Sequence, residues 1–350
     1  MKKYLNWLSR RFLHHTSFSG YIEPVIQAVK PAWRDGFYRA NVVAVNHHVT
    51  DTIELYLRVH GNWPVHQSGQ HIELTQEING KLLTRVFTIA SAPQLALSKR
   101  LIRLVIKQQQ QGHFTPALSQ LSLGNWVNIS SPKGQFTVGK LTDNNLLLVA
   151  GSGITPFIAM LNDLKNQPND GRHVHLLYYA KPQQHLLVDE LTALSAAMEN
   201  FSFQLMTRNV DGDVSNHLEK FAQSTMLVCG PQAFYQSVAK YAQLHDISLY
   251  SEHFSLMALT QLDSQTKQLF DVSLNGKQIV VSNESPILSQ LLALGEPVSH
   301  GCKIGICHQC QCTKTTGVVK NVVTGKLSDR GEELIQLCVS QVMSDVELRV

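Results

Sequence analysis

The chain has 350 residues, 43% of them apolar and 16% charged, with a formal net charge of +4. That composition supports real cores in two or three domains of about 100–200 residues each and excludes a disordered chain. The small charge, with no dense Lys/Arg run, excludes a nucleic-acid binder, and no apolar run reaches the ~18–20 residues that cross a bilayer.

Residues 1–35 read as a basic N-terminal extension. Over residues 1–34, Lys2, Lys3, Arg10, Arg11, Lys30 and Arg34 face the single acid Glu23. Tyr4, Leu5, Leu8 and Phe12 fall near one helical face. Two readings stand: a helix packed on the body of the protein, or an amphipathic segment touching a membrane surface or a membrane-bound partner. The opening MKKYLNWLSRRFLHH has no secretory core or cleavage site. The expected location is therefore the cytoplasm; under the second reading the basic segment would make a peripheral contact at the inner membrane face.

Residues 36–140 have a β texture. FYRANVVAVNHH, TIELYLRV, HIELTQEI, LTRVFTIAS, RLIRLVIKQ and NWVNISSP are short β-branched runs separated by turn residues, which points to an antiparallel barrel or sandwich. Residues 141–255 alternate strand and helix. LLLVA, the helix TPFIAMLNDLKNQ, HVHLLYYA, a helix around Val188 to Met198, FSFQLMTR, a further helix, TMLVCG and the helix PQAFYQSVAKYAQL predict a parallel α/β sheet. Residues 256–268 read as a polar linker. In 269–350, LFDVSLNGKQIVV is a hairpin around Asn275-Gly276, followed by the helix SPILSQLLALG, a cysteine loop and a β finish.

Five of the six cysteines lie in the last 49 residues, and four of those fall within eleven positions. Cys302, Cys307, Cys310 and Cys338 follow the C-x4-C-x2-C spacing with a distant fourth thiol, the plant-type [2Fe–2S] ligand pattern. Zinc sites use two close pairs instead. A Rieske centre needs two His ligands, and here four thiols already fill the site. Gly301 and Gly305 let the backbone wrap the cluster and aim N–H groups at its sulfurs. Cys312 reads as a small core residue beneath the loop.

Upstream stand Arg85-Val86-Phe87-Thr88-Ile89, then Gly112-His113-Phe114-Thr115, then GSGITP at 151–156, then Cys229-Gly230-Pro231. In this order they resemble the ferredoxin–NADP reductase superfamily, and the cysteine-rich segment placed last resembles the reductases that serve oxygenases and fatty-acid desaturases. The resemblance covers residues 36–350. It implies a multidomain fold: an antiparallel β-barrel flavin domain (36–140), an α/β parallel-sheet nucleotide domain (141–255) and an α+β β-grasp ferredoxin domain (269–350).

It also implies roles. Arg85 would pair with the flavin pyrophosphate and Phe87 would stack on the isoalloxazine, where the family more often has Tyr. Thr88 would hydrogen-bond near the reactive N5, with Ile89 beside it. Gly112 to Thr115 would hold the diphosphate through backbone N–H groups. Gly151, Gly153, Thr155 and Pro156 would receive the nucleotide at a helix start. Cys229, with Gly230 and Pro231, would approach the nicotinamide, and Glu252 and Phe254 would gate the flavin. Lys181 and Arg208 lie past strand ends where an adenosine 2′-phosphate could sit, which favours NADPH over NADH. The segment around 112–118 favours FAD over FMN.

The implied activity is an NAD(P)H:acceptor oxidoreductase that relays electrons from NAD(P)H to FAD, to the [2Fe–2S] cluster and to an external acceptor. No acid–base pair is required, so none is named. The chain has 16 His but no H-x-x-H-H box, so it is not itself the oxygenase. The expected acceptor is a membrane fatty-acid desaturase. The alternatives are a ring-hydroxylating or other monooxygenase, and a redox-sensing module in which the cluster reports rather than conducts. The expected state is a monomer.

Overall fold

The computed structural model describes residues 4–5, 7, 11, 18–30, 38–48, 51–78, 81–109, 114–167, 170–252, 267–301, 303, 305, 309–323, 325 and 327–349. The chain divides into two compact units. One comprises residues 1–212, 219–227 and 247–250; the other comprises 213–218, 228–246 and 251–350. Within the N-terminal extension, a helical turn at Phe18–Tyr21 precedes helix α1 (Glu23–Val29), whose Val25 and Val29 are exposed. The expected linker falls mostly outside the described residues.

The first unit opens with an antiparallel sheet of β1 (Tyr38–His48), β2 (Thr52–Val59), β3 (His71–Ile78), β4 (Lys81–Thr88), β5 (Leu101–Lys107) and β6 (Trp126–Ile129), in the order β4-β3-β6-β1-β2-β5. Side chains alternate across a strand. On β2 the inward set Ile53, Leu55 and Leu57 is fully buried, and on β5 Ile102, Leu104 and Ile106 meet it. Each such side chain contributes about 1.5–3 kcal/mol by leaving water.

The two edge strands meet at one corner. Ile89, just past β4, bridges Leu104 on β5, and Ala90 N donates to Arg103 O at 2.8 Å. Two short helices that the strand pattern did not announce complete this half. Helix α2 (Pro93–Lys99) starts on a proline, which suits a first turn because its missing N–H has no helical partner to lose. Helix α3 (Phe114–Ser119) drops Phe114 and Leu118, one turn apart, into the sheet's core.

A second sheet follows, with β7 (Asn144–Ala150), β8 (His173–Tyr179), β9 (Phe201–Met206), β10 (Thr225–Cys229) and β11 (Leu249–Glu252) in the order β11-β10-β7-β8-β9. β7, β8 and β9 run parallel. The strand order reverses between β7 and β10. The crossovers carry α4 (Ile154–Lys165), α5 (Val188–Ala197) and α6 (Gln232–Leu244). Ten of the twelve residues of α4 are buried, as expected of a helix that is apolar on every face.

Gly69, in the first-sheet half, accounts for how closely α4 is approached. A Cβ there would stand 2.2 Å from Phe136 O and 2.5 Å from Met160 Cε, and its φ is +100°. One expectation is corrected. Between β9 and β10 the chain makes three short turns, at Arg208–Asp211, Val214–His217 and Glu219–Phe221, rather than one helix. Gly212 at φ +79° ends the first, and the Asp213 side chain accepts from Ser215 N to start the second.

In the second unit, β12 (Leu269–Leu274), β13 (Lys277–Ser282), β14 (Gln311–Thr316), β16 (Glu333–Gln336) and β18 (Val346–Arg349) form a sheet in the order β13-β12-β18-β14-β16. β15 (Val319–Asn321) pairs separately with β17 (Ser340–Val342). β12 and β18 are parallel and the other pairs antiparallel. The expected hairpin is present: Asn275 and Gly276 have φ of 50° and 89°, the two positive values that a two-residue turn between twisted strands demands. Helix α7 (Ile287–Ala293) lays Ile287, Leu288 and Leu291 into the core with Val272, Val281, Leu337 and Leu348. Lys314 on β14 is fully buried, its Nζ donating to Asp329 O at 2.8 Å and Gly331 O at 2.5 Å.

Candidate functional site

Strand β4 ends in the motif that begins with Arg85. The Arg85 guanidinium is exposed, donates to Thr84 O at 2.8 Å and lies 5.6 Å from the Phe114 ring. The rings of Phe87 and Phe114 stack at 6.0 Å with 26° between planes. Thus α3 and the end of β4 bring Arg85, Phe87 and Phe114 together. Thr115 Oγ1 accepts from Gln109 N at 2.9 Å, tying the start of α3 back to the strand end. Ile89 packs in the core with no exposed surface. Gly112 and His113 lie outside the described residues.

Thr88 is 4% exposed, and among the described residues its buried Oγ1 has no hydrogen-bond partner. A buried hydroxyl left in that state costs about 1–3 kcal/mol. It stands one residue past the Phe87 ring, so a planar ligand that offers both a stacking face and a polar edge fits this pair. A flavin has both.

In the second sheet, Gly151 takes φ +60° directly after β7, and the turn Gly151–Gly153 runs into α4. The turn is anchored from an unexpected direction. Tyr178 Oη donates to Gly151 O at 3.0 Å and accepts from Leu186 N at 2.9 Å. Burial pushes the Tyr178 phenol up to about 12, partly offset by the Leu186 N–H, so it stays a donor. Thr155 is buried and donates to Ser152 O at 3.3 Å, and Pro156 occupies the first turn of α4, where its ring is tolerated. These groups leave the amino end of α4 fixed, with its first N–H groups short of helical partners.

Lys181 and Arg208 are both exposed, each two residues past the paired ends Tyr179 and Met206 of neighbouring strands. Between them His185 Nε2 donates to Tyr178 O and Met206 O, closing the same two strand ends. Cys229 ends β10 with no exposed surface. Burial, and secondarily the charge of Glu252, pushes its thiol well up, so it is neutral at physiological pH. Gly230 is buried and Pro231 caps α6. Phe254 lies outside the described residues.

In the last sheet, Cys310 and Cys338 are 3% and 1% exposed and share one core, with Leu337 N donating to Cys310 O at 3.1 Å. Cys312 is buried in that core as well. Cys302 and Cys307 lie outside the described residues. Gly305 has φ +80°, and a Cβ there would be 2.8 Å from Val339 Cγ1, while Gln336 Nε2 donates to Gly305 O at 2.8 Å. The loop therefore presses its backbone onto the segment that carries Cys338. Buried thiols beside a backbone-only approach fit a thiolate-ligated cluster.

Tyr178 and Gln336 escaped the sequence reading because each acts by hydrogen-bonding to backbone groups. A Tyr inside a strand and a Gln at a strand end carry no motif that would reveal this.

Comparison with known proteins agrees with the first two regions. Residues 42–138 match the oxidoreductase FAD-binding domain family and residues 147–240 the oxidoreductase NAD-binding domain family. An NADPH oxidoreductase of Mycobacterium tuberculosis is 23% identical, over 93% of this chain and 87% of its own length. The stachydrine N-demethylase reductase subunit of Rhizobium meliloti is 24% identical, over 81% and 88%. Among solved structures, phthalate dioxygenase reductase, described as a modular structure for electron transfer from pyridine nucleotides to [2Fe–2S], aligns with a TM-score of 0.59 at 20% identity. That alignment covers 90% of this chain and 98% of that one.

The chain is an NAD(P)H oxidoreductase. Its antiparallel-sheet region carries an oxidoreductase FAD-binding domain over residues 42–138 and its parallel-sheet region an oxidoreductase NAD-binding domain over residues 147–240.

Proposed function

We propose that this oxidoreductase passes electrons taken from NAD(P)H to a [2Fe–2S] cluster held by Cys302, Cys307, Cys310 and Cys338, and from there to an external oxygenase-type acceptor. The domains are read as flavin, nucleotide and β-grasp ferredoxin modules at 36–140, 141–255 and 269–350. When bound, the flavin exchanges two electrons with a nicotinamide and single electrons with an iron–sulfur cluster, which is the chemistry such a chain needs.

The protein's own residues do the positioning. Phe87 offers a stacking face, Thr88 an unspent hydroxyl, and Arg85 a guanidinium for a diphosphate. In open α/β sheets, ligands bind beyond the carboxyl ends of the strands where the order reverses. Gly151 directly follows β7 and Cys229 ends β10, the two strands that flank that reversal, and the neutral Cys229 thiol adds no charge beside a nicotinamide. Lys181 and Arg208 favour NADPH. Glu252 and Phe254 are assigned to gating.

The observation that carries the reading is the pairing of Cys310 and Cys338 in one buried core, with the C-x4-C-x2-C spacing, downstream of FAD and NAD domains. The likeness to phthalate dioxygenase reductase over nearly its whole length supports it. The test is a visible spectrum of the purified protein. Flavin bands and a broad cluster absorbance, both bleached by NADPH, are expected. A preparation lacking either chromophore overturns the relay, and slow turnover with an artificial acceptor favours the redox-sensing module.

For the acceptor, the basic extension favours a membrane fatty-acid desaturase, and the reductase relatives favour an oxygenase. Electron transfer to desaturase-containing membranes, with and without residues 1–34, separates them. Equal rates remove the case for that segment.

A further inference from the structure

Helix α4 begins at the Gly151–Gly153 turn, and one buried and one half-buried carboxylate join its neighbourhood to the flavin sheet. The first is on α4 itself. Asp163 is 6% exposed, and its two oxygens accept from Ser68 Oγ at 2.7 Å and Gln94 Nε2 at 2.9 Å, both from the flavin-sheet half. The second is Glu190 on α5. Its oxygens accept from Arg103 Nη1 at 3.1 Å and Arg103 Nη2 at 2.8 Å, a two-pronged pairing, and from Asn162 Nδ2 of α4 at 2.8 Å.

Arg103 itself is locked into the flavin sheet. Its Nη2 also donates to Glu54 Oε1 on β2 at 2.6 Å. Its backbone N–H donates to Ser91 Oγ at 3.2 Å, and its O accepts from the Ala90 N–H at 2.8 Å. Ser91 and Ala90 follow Thr88 by three and two residues. Burial alone would lower the Arg103 guanidinium's proton affinity. The Glu190 hydrogen bond and the charges of Glu190 and Glu54 outweigh it and raise that affinity, so the charge is permanent.

We infer that Arg103, Glu190 and Asp163 are positioning residues: they set the register between strand β4, which ends in Thr88, and helix α4, which begins at the nucleotide turn. The contacts meet α4 at neighbouring residues, Asp163 directly and Asn162 through Glu190 of α5. Consecutive helical residues point about 100° apart around the axis, so the helix is gripped from two sides and its rotation and slide are both opposed. Guanidinium–carboxylate forks hold a defined plane as well as a distance. The rate of transfer between two bound groups depends steeply on such placement; a ~1 Å error can cost about a hundredfold. The clasp rests on the flavin and nucleotide assignment above and concerns neither the cluster nor the external acceptor.

The experiment is rapid-mixing reduction of the flavin-loaded full chain by NADPH and by NADPH deuterated at the transferred position, in Glu190→Gln and Asp163→Asn. Expected are a limiting reduction rate at least about tenfold lower and a changed isotope effect. Flavin content and the NADPH concentration for half-saturation should stay within about twofold, since no clasp residue is assigned to either ligand. Arg103→Lys keeps the charge without the fork and should fall between parent and Glu190→Gln; it also serves if Glu190→Gln fails to fold. A variant that loses thermal stability but reduces its flavin at the parental rate and isotope effect overturns the inference and leaves these residues merely structural. A parent protein that takes up flavin yet is not reduced by NADPH or NADH overturns the functional reading itself, a result distinct from the first.

Discussion

Replacing Thr88 by Val should make the flavin-free protein more stable and the flavin-loaded protein worse at its task. Val has nearly the shape of Thr and suits a strand end, so packing is preserved. What is lost is a buried Oγ1 without a partner among the described residues. Such an atom costs about 1–3 kcal/mol in the folded state, and Thr88→Val removes that cost. At about 2–4 °C per kcal/mol for a cooperative unit of this size, the melting temperature of deflavinated protein should rise by about 2–12 °C. In the parent, a bound flavin supplies the missing partner and recovers the same energy. The variant recovers nothing, so its flavin dissociation constant should rise by a factor of roughly 5 to 150 at 1.4 kcal/mol per tenfold. Calorimetry of deflavinated samples and fluorescence titration with FAD read the two effects. A variant that is less stable without flavin, or that binds FAD as tightly as the parent, would refute the assignment of Thr88 to a ligand.

Three further outcomes are expected. Gly69→Ala places a methyl 2.2 Å from Phe136 O at φ +100°. Overpacking and left-handed strain together should cost about 2–5 kcal/mol in chemical denaturation; a loss under about 1 kcal/mol would show that α4 can move away. Tyr178→Phe strips Gly151 O of its donor and Leu186 N of its acceptor. KM for NADPH should rise several-fold with flavin content unchanged, and an unaltered KM would remove Tyr178 from the nucleotide turn.

The third concerns pH. Burial lowers the proton affinity of His66, against the Ser91 carbonyl bond and the Asp163 charge that raise it. The imidazole is therefore neutral when folded and takes a proton more readily when unfolded, so stability is lost as pH falls below about 6.5. His66→Gln should flatten the stability curve below that pH, and parallel curves for parent and variant would exclude His66 as the source.

Much of the architecture was legible because each half carries its own period. β2 and β3 coincide with TIELYLRV and HIELTQEI, since alternation and β-branching agree there. The Asn275-Gly276 hairpin was legible because only a few residue pairs accept two positive φ values. The helix expected between β9 and β10 was not there, because Gly212 and Asp213 give the chain a better turn than its weak apolar pattern gives a helix. At the candidate site, Arg85, Phe87, Gly151 and Cys229 were visible as motif members. Asp163, Arg103 and Glu190 were not. Local sequence presents each as a surface charge, and only the packing of one sheet against another's helices draws them out of the solvent. Lys314 is the same lesson on a strand: its inward position follows Cys312 by two residues, yet a lysine there reads as solvated until the carbonyls of Asp329 and Gly331 are seen around its Nζ.

Strand β18 has a consequence for how the protein is made. It follows β12 and β14 in the chain by many residues, yet it lies between them and hydrogen-bonds to both. Domains tend to fold as they emerge, amino-terminal parts first. Here the flavin and nucleotide halves can close while the final sheet still has a gap at its centre. Cys310 and Cys338 then wait in an unfinished core until Val346–Arg349 arrives to bring the two flanking strands together. The proposed cluster would have its easiest access in that interval, so the order of the strands along the chain would also schedule its loading.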